Sequence, residues 1–246
     1  MKNYSYIGIS FVILVMGIIF IPKIIDRVSE GDITRKDRLN IEGTEREEEQ
    51  RELGFLKING KLKKAPQFEF VDQHGNTISN ENYAGKVYVA DFFFTSCPTI
   101  CPVMTSNLIE VQNKINDTVD FGIASFSITP KTDTPAVLKA YADSYGVTNP
   151  NWHLMTGDQE EIYQLANQGF SIYAAENPEV DGGFEHLGHF ILVDQEGYIR
   201  SRIDRFGNPI IYYRGAIAHD ANVLEGEETP QIEELIEDIN RLLNDE

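Results

Sequence analysis

The hydrophobic and polar positions divide the chain into an apolar beginning, a charged stretch and a long mixed region. Residues 6–21 carry no charged side chain. As a helix they span roughly 24 Å, and continuing to residue 25 brings the helix near the roughly 30 Å core of a bilayer. Residues 44–52 are nearly all charged and cannot bury a core, so 26–56 is predicted to be a solvated tether. A folded domain is therefore expected over residues 57–246.

Apolar runs within this region predict alternating strands and helices. The largely apolar runs 86–94 and 119–128 are typical of strands buried on both faces of a sheet. Thr132 or Asp133 is expected to cap the second helix. Strands alternating with helices predict an α/β layered domain. The other predicted strands are two short ones around a turn at 72–76, then 152–155, 189–193 and 199–203; the predicted helices are 98–114, 132–145, 158–168 and 230–243.

Composition and charge narrow the function classes. The chain has 246 residues, of which 41% are hydrophobic, and 21 Lys and Arg against 39 Asp and Glu give a formal net charge of -18. Such an acidic chain should be repelled by phosphate backbones, so no nucleic-acid partner is expected. Its two cysteines cannot build a disulfide framework, a four-cysteine zinc site or an iron–sulfur site.

The two cysteines, Cys97 and Cys101, carry the candidate chemistry. They follow the run 86–94 where a helical pattern begins, and each is followed by a proline. Positions four apart on a helix share a face, so the two sulfurs can close on one metal ion or on each other. A helix N-terminus is also expected to lower the thiol pKa. The alternative is two buried structural thiols or one inert disulfide.

A metal ion held by two thiolates needs a further ligand, and histidine is the usual donor. Two thiolates suit Cu(I) and also zinc. His74 lies in a predicted turn, His153 at a strand end and His219 in an unassigned stretch. His186 and His189 precede or begin a predicted strand, and regular strand geometry would turn them to opposite faces, so at most one is expected to be a ligand. Spacing alone does not choose between them.

The apolar beginning favours an uncleaved membrane anchor over residues 1–25. Tyr4 and Tyr6 suit the lipid–water boundary. No small-residue cleavage site follows the apolar run, which argues against a cleaved signal peptide. A buried core helix is the remaining alternative. Positive charge is denser after the segment than before it, so the positive-inside rule places the large domain in the cytoplasm.

Residues 91–102, DFFFTSCPTICP, resemble the core signature of the SCO/SenC family. These are membrane-anchored, thioredoxin-like copper proteins that assist the assembly of cytochrome c oxidase. The stretches SITPKTDTP at 127–135, LMTGD at 154–158 and residues 186–197 are similar to further family motifs in the same order. The resemblance covers residues 60–203 and the last helix. The C-x-x-x-C spacing is specific because thioredoxins proper have two intervening residues.

The resemblance implies a thioredoxin-like fold with an N-terminal transmembrane helix. It implies copper, as Cu(I) or Cu(II), held by Cys97, Cys101 and His186, and it selects His186 over His189. It implies cytochrome c oxidase subunit II as the protein partner. It also implies contact with the membrane through the N-terminal helix. It places the soluble domain outside the cytoplasm, on the periplasmic side of a bacterial inner membrane, and we follow it over the charge count. An oxidising compartment lets the cysteines cycle between dithiol and disulfide.

The chain departs from the family's pattern in two places. Thr129 stands where family members usually have an aspartate, so any role of that acid is absent. Residues 204–228 do not follow the pattern and indicate either an insertion near the site or a surface loop.

Three functions follow from these observations. The leading hypothesis is a copper metallochaperone, which is a carrier rather than an enzyme. The alternative is a thiol–disulfide oxidoreductase that acts on the cysteines of the oxidase subunit or of other exported proteins. A peroxidase would need Thr95 and either Arg200 or Arg202 beside a cysteine, and nothing in the sequence places them together.

Overall fold

The computed structural model describes residues 14–16, 53–58, 60–115, 119–203, 209–221 and 228–244, except for the side chains of residues 185, 186 and 209. The chain forms two compact units, Met1–Gln50 and Arg51–Glu246. The anchor expected over 1–25 lies outside the described residues apart from the helical residues 14–16, and so does most of the expected tether. None of the helices in the described part of the chain is long and apolar enough to cross a bilayer.

Strand β6, Val87–Phe93, lies at the centre of the second unit, and all seven of its residues are buried. Its neighbour β7, Phe121–Ser127, is buried along its whole length too, as the two apolar runs predicted. The hairpin at 189–203 has the predicted bounds. The other strands are β1 (Leu53–Phe55), β2 (Lys57–Ile58), β3 (Lys61–Leu62), β4 (Glu69–Asp72), β5 (Thr77–Ser79), β8 (Trp152–Thr156), β9 (Ala174–Glu176), β10 (Phe184–His186), β11 (His189–Val193), β12 (Ile199–Ile203), β13 (Pro209–Ile210) and β14 (Tyr213–Arg214).

The described strands build one large mixed sheet and two small pairs. The order across the large sheet is β1-β12-β11-β6-β7-β8-β4-β5, with β13 added to β12 and β14 to β11. Strands β6, β7 and β8 are parallel, and β11 and β4 flank them antiparallel. Strands β9 and β10 form a separate pair, as do β2 and β3. Because β6 and β7 are parallel and buried, their carboxyl ends leave the sheet side by side.

The four long helical segments match the predicted ones in place but differ at their starts. The first begins at Cys101, since the Cys97 N–H donates to the Phe94 carbonyl and closes a turn over residues 94–97, and the chain then bends at 98–100. The second begins at Pro135 and its cap is Thr134, so the cap predicted at Thr132 or Asp133 is wrong. The helices are α1 (Cys101–Lys114), α2 (Pro135–Tyr145), α3 (Gln159–Gln164, continued by a π-helix, Leu165–Phe170) and α4 (Ile232–Asn244).

The core forms on both faces of the sheet, which confirms the expected α/β class. Phe126 of β7 packs edge-on against Phe68 at 5.0 Å and stacks with Phe92 at 5.3 Å between ring centroids. Helix α4 buries the face predicted from its 3.6-residue period, including Leu235 and Ile239. These layers bury the end of β6, and the cysteines follow it in the chain after a short turn.

Candidate metal centre

The cysteine pair lies at the junction between the most buried strand and helix α1. Strand β6 ends at Phe93, and Cys97 follows in the turn before the helix. Cys101 is the first residue of α1 and points to its inner face, in line with Met104 and Leu108, which are also buried. The sequence therefore placed the pair correctly at a strand-to-helix junction, but only one of the two cysteines is helical.

The two thiols are neighbours and are not joined in a disulfide. The backbone N–H of Cys101 donates to the sulfur of Cys97 at 3.5 Å. The Thr99 hydroxyl lies 3.6 Å from the same sulfur. Cys97 is 7% exposed and Cys101 is 1% exposed. Cys97 is thus the outer thiol of the pair, and the first N–H of the helix is directed at its sulfur.

The expectation that the helix N-terminus lowers the thiol pKa is wrong for Cys101. A hydrogen bond to Cys97, followed by burial, raises the pKa of Cys101 well above its ordinary value. Both causes act against the thiolate, because the sulfur has little water around it and its proton has an acceptor. The helix N-terminus does not offset them at Cys101.

Asp133 holds the chain just before the cysteines, a role that the sequence did not reveal. It is completely buried. Its carboxylate accepts hydrogen bonds from the N–H and the hydroxyl of Thr95 and from the hydroxyls of Ser127 and Thr129. The only signal in the sequence was the cluster of small polar residues after β7, which was interpreted as a helix cap.

The segment that carries His186 runs beside the cysteine turn. Gly182 lies so close to Pro98 that a Cβ there would be 2.9 Å from its Cδ, and Phe184 stacks at a tilt on Phe94 at 5.5 Å. Further along, a Cβ on Gly188 would be 3.2 Å from the Cδ1 of Ile100. The backbone of residues 182–188 therefore flanks both ends of the turn.

His186 itself is described only by its backbone. It is the last residue of β10 and pairs with Ala174 of β9. Its side chain lies outside the described part of the structure, so the proposed trio with the cysteines stays a prediction. Among the side chains that are described, no group of three His, Cys, Asp or Glu residues is arranged to hold a metal ion.

The other histidines have separate environments. His74 is exposed in the predicted turn. His219 is also exposed, and its backbone N–H donates to the side-chain oxygen of Asn107. His153 lies at the start of β8, with Nδ1 3.0 Å from Asp72. His189 begins β11, and its ring lies 6.1 Å from that of Tyr212. His186 and His189 thus belong to different strands, and the strand alternation considered for them does not apply.

The residues that a peroxidase would need are held apart by other partners. The Thr95 hydroxyl is bound to Asp133. Arg200 lies on β12, two strands away from β6, and donates to Asp194 and to backbone carbonyls of β1. Arg202 is bound to Asp238 of helix α4. The described structure therefore does not assemble this alternative site.

Comparison with known proteins gives the family. A sequence model of SCO1/SenC matches residues 57–217, more than half of the chain. The chain belongs to the SCO1/SenC family. The SCO1 protein homolog of Bacillus subtilis is 37% identical to it over 134 residues, which are 54% of this chain and 69% of the homolog.

Solved structures of the family share the fold. BsSco, a member of the Sco family of cytochrome c oxidase assembly proteins with an identified disulfide switch, is 31% identical. It aligns over 75% of this chain and 95% of its own, with a TM-score of 0.58. Bradyrhizobium japonicum ScoI, solved with copper bound, is 23% identical over 72% of this chain and 98% of its own, with a TM-score of 0.53. The second domain of this SCO1/SenC chain is thus a thioredoxin-like α/β fold.

The described part of 204–228 is built into the fold. Strands β13 and β14 extend the large sheet. The side-chain amide of Asn107 donates to the carbonyls of Gly215 and Ile217, at 2.9 and 2.8 Å, and so ties this stretch to α1. The family match runs through residue 217. Residues 209–217 therefore pair with the sheet and contact α1, and whether 204–228 is an insertion stays a prediction.

Proposed function

We propose that this chain is a copper metallochaperone that binds copper through Cys97, Cys101 and His186 and passes it to the copper site of cytochrome c oxidase subunit II. The observation that carries the proposal is the pair of neighbouring cysteines beside the segment that bears His186. Two thiolates and an imidazole form a donor set that suits Cu(I). Copper is the cargo in this proposal, and the chain is a carrier rather than an enzyme.

The position of the pair also suits transfer. Cys97 lies at the wall of an open cavity, whereas Cys101 is behind it. A partner can therefore approach the metal from the side of Cys97. A target site with more soft ligands then takes the ion by ligand exchange, because each new thiolate bond replaces one from this chain.

Copper titration of the reduced full-length chain tests the proposal. We expect one copper ion per wild-type chain and sharply weaker retention in each of Cys97→Ala, Cys101→Ala and His186→Ala. His74→Ala is the matched control, because His74 lies in an exposed turn, and it should retain copper as the wild type does. Unchanged stoichiometry and affinity in His186→Ala would remove that histidine from the site, and unchanged values in all three variants would reject the proposal.

Thiol–disulfide exchange is the second candidate, favoured by the asymmetry of the pair. Cys97 is the outer thiol and receives the N–H of Cys101, while Cys101 is buried within reach of it. In such a pair the outer sulfur attacks a partner's disulfide, and the inner sulfur then displaces the partner's thiol. Two electrons pass to the partner, and Cys97 and Cys101 end as a disulfide.

The two candidates differ in their need for the histidine. In an assay of disulfide reduction, His186→Ala should keep its activity if exchange is the function, while both cysteine variants should lose it. Failure of the reduced chain to reduce a disulfide in the copper-site segment of the oxidase subunit would count against this candidate.

For localisation, we propose that residues 1–25 anchor the chain and that its folded domain lies outside the cytoplasm, on the periplasmic side of the membrane. The uncharged run over residues 6–21 supports the anchor. Alkaline phosphatase fused after the last residue should be active in intact bacteria, because this reporter needs export. If only a reporter that works in the cytoplasm is active at the same position, the folded domain lies on the cytoplasmic side and the proposed orientation is wrong.

A further inference from the structure

A cavity of about 440 Å³ opens beside the outer thiol. Cys97 forms part of its lining, and the apolar side chains of Phe94, Ile100, Val180 and Phe184 form most of the rest. A metal ion at the thiol pair needs neither this volume nor an apolar wall. The size and lining instead suit an apolar side chain that arrives together with a reacting sulfur.

The rim of this cavity is negatively charged. Glu179 and Asp181 line it and are exposed, and the described residues that line it include no lysine or arginine. The whole chain carries a formal net charge of -18, so its long-range field has the same sign. A cationic partner is therefore attracted to this face, and an anionic one is repelled.

The two carboxylates are carried by a fixed turn. The N–H of Asn177 donates to the carbonyl of Gly183 at 2.9 Å, and its side chain accepts from the N–H of Glu179 at 3.0 Å. The close approach of Gly182 to Pro98 presses this turn against the cysteine segment. The negative charge is thereby held at the mouth of the cavity beside Cys97.

We infer that the cavity beside Cys97 is the docking site for a cysteine-bearing segment of the partner protein, one with an apolar side chain and a lysine or arginine next to its cysteine. This inference rests on the proposed function, since it names the kind of segment that the thiol pair meets. The apolar side chain fills the cavity, and the cation faces Glu179 and Asp181. The partner's sulfur then lies next to Cys97, where a ligand or a disulfide can be exchanged.

Two matched peptides test the docking site on the metal-free, reduced full-length chain. Each has one cysteine activated as a mixed disulfide with thionitrobenzoate, next to a leucine; one peptide has flanking lysines and the other flanking glutamates. The Cys97 thiolate attacks the peptide sulfur, a Cys97–peptide disulfide forms, and coloured thionitrobenzoate leaves with the electrons of the broken bond. The rate of the first colour release is measured.

We expect the lysine peptide to react roughly tenfold faster than the glutamate peptide at low salt, and the ratio to fall at high salt. The double variant Glu179→Gln/Asp181→Gln should lose most of this preference. Glu69→Gln/Glu81→Gln is the matched control, because it removes the same charge from exposed sites near the β4–β5 edge of the sheet. Replacing the leucine of the lysine peptide by serine should slow the reaction severalfold.

Three results would overturn the inference: equal rates for the two peptides, an equal loss of preference in the control variant, or no effect of the leucine. Copper titration of the same proteins separates this failure from that of the proposed function. A wild-type chain that binds copper but shows no preference for lysine overturns only the docking site. A chain that prefers the lysine peptide but retains no copper overturns only the copper proposal.

Discussion

Thr95 is bound twice by Asp133, a residue 38 positions further along the chain. Its N–H donates to Oδ2 at 3.0 Å and its hydroxyl to Oδ1 at 2.6 Å. Thr95 lies two residues before Cys97, so this pair of bonds fixes the direction in which the chain leaves β6. Because the carboxylate also holds the end of β7 through Ser127, the cysteine turn is tied to two strands at once.

We expect Asp133→Ala to lower both stability and copper retention. The change leaves several buried donors without an acceptor, and each such donor costs about 1–3 kcal/mol. The free energy of unfolding in urea should fall by about 3–5 kcal/mol, and Asp133→Asn should lose less because it keeps one acceptor oxygen. Asp143→Ala is the control, since that residue is exposed and bound to Lys139. A copper affinity that stays at the wild-type value in Asp133→Ala would show that the bonds between Asp133 and Thr95 do not affect the metal site.

A buried ion pair joins the sheet to the last helix. Arg202 of β12 donates to Asp238 of α4 through Nε at 2.7 Å and through Nη2 at 2.8 Å, and the hydroxyl of Tyr213 donates to the same carboxylate at 2.7 Å. Arg202→Ala removes the cation that is hydrogen-bonded to the fully buried Asp238 and leaves only Arg241, at 3.8 Å, near that carboxylate, which should cost about 3–5 kcal/mol. Lys139→Ala breaks an exposed pair and should cost under about 1 kcal/mol.

Urea unfolding of both variants gives the comparison, and a double variant isolates the cause. Arg202→Met/Asp238→Leu removes both charges, so it should be more stable than Arg202→Ala alone if the cost comes from the unpaired carboxylate. A double variant that is less stable than Arg202→Ala would show that the pair contributes net stability of its own.

The sequence predicted the elements whose signal is local. Apolar runs predicted the buried strands β6 and β7, and two apolar runs around a turn predicted the hairpin of β11 and β12. The cysteine pair was located by its place after β6. The elements that the sequence did not predict depend on contacts between distant parts of the chain. Strands β13 and β14 are two residues long, and they pair with the ends of β12 and β11 that extend beyond the pairing of those two strands with each other.

Two errors have the same physical origin. Asp133 has the chemistry of a helix cap, and only the approach of Thr95 and Ser127 in the fold makes it a buried acceptor instead. Cys101 stands at a helix N-terminus, where anions are favoured, but burial and its neighbour Cys97 raise its pKa. In each case, tertiary contacts outweigh the local preference.

Stability should fall as the pH drops from about 7 through the folded-state pKa of His153. Burial lowers the pKa of His153, and Asp72 raises it only in part; His74 lowers it further, and the ring of Tyr83 packs on it edge-on. Below about pH 6.5 the unfolded chain therefore binds a proton that the folded chain does not, and this favours unfolding.

The dependence of the unfolding free energy on pH is measured from urea midpoints between about pH 7.5 and about pH 5, and its slope is compared between variants. His153→Gln should flatten it, whereas His219→Gln, at an exposed position, should leave it unchanged. His189 adds to the same slope, because burial and Arg214 lower its pKa while Glu228 raises it. A slope that persists unchanged in His153→Gln would assign the effect to other groups.

The two thiols should differ in reactivity. Cys97 is 7% exposed at the wall of an open cavity, and Cys101 is 1% exposed with its pKa raised by Cys97 and by burial. Iodoacetamide should therefore label Cys97 of the reduced, metal-free chain at least about tenfold faster than Cys101. Tandem mass spectrometry of the peptide that carries both cysteines locates the label on each sulfur and measures the ratio. In urea the ratio should approach one, and equal rates in the folded chain would contradict the asymmetry.

Gly188 should be intolerant of a side chain, and the reason predicts a rescue. Its carbonyl accepts the N–H groups of Gly215 and Ala216 at 2.8 and 3.1 Å, and a Cβ on it would lie 2.5 Å from the Cβ of Ala216. Gly188→Ala should therefore cost about 1–3 kcal/mol of unfolding free energy. It should also weaken copper retention, because relief of the clash moves the backbone that leads from His186 past Ile100. In Gly188→Ala/Ala216→Gly the opposing methyl group is gone, so stability and copper binding should both recover in large part. Recovery of stability without recovery of copper binding would show that the position of Gly188 matters to the fold and not to the site.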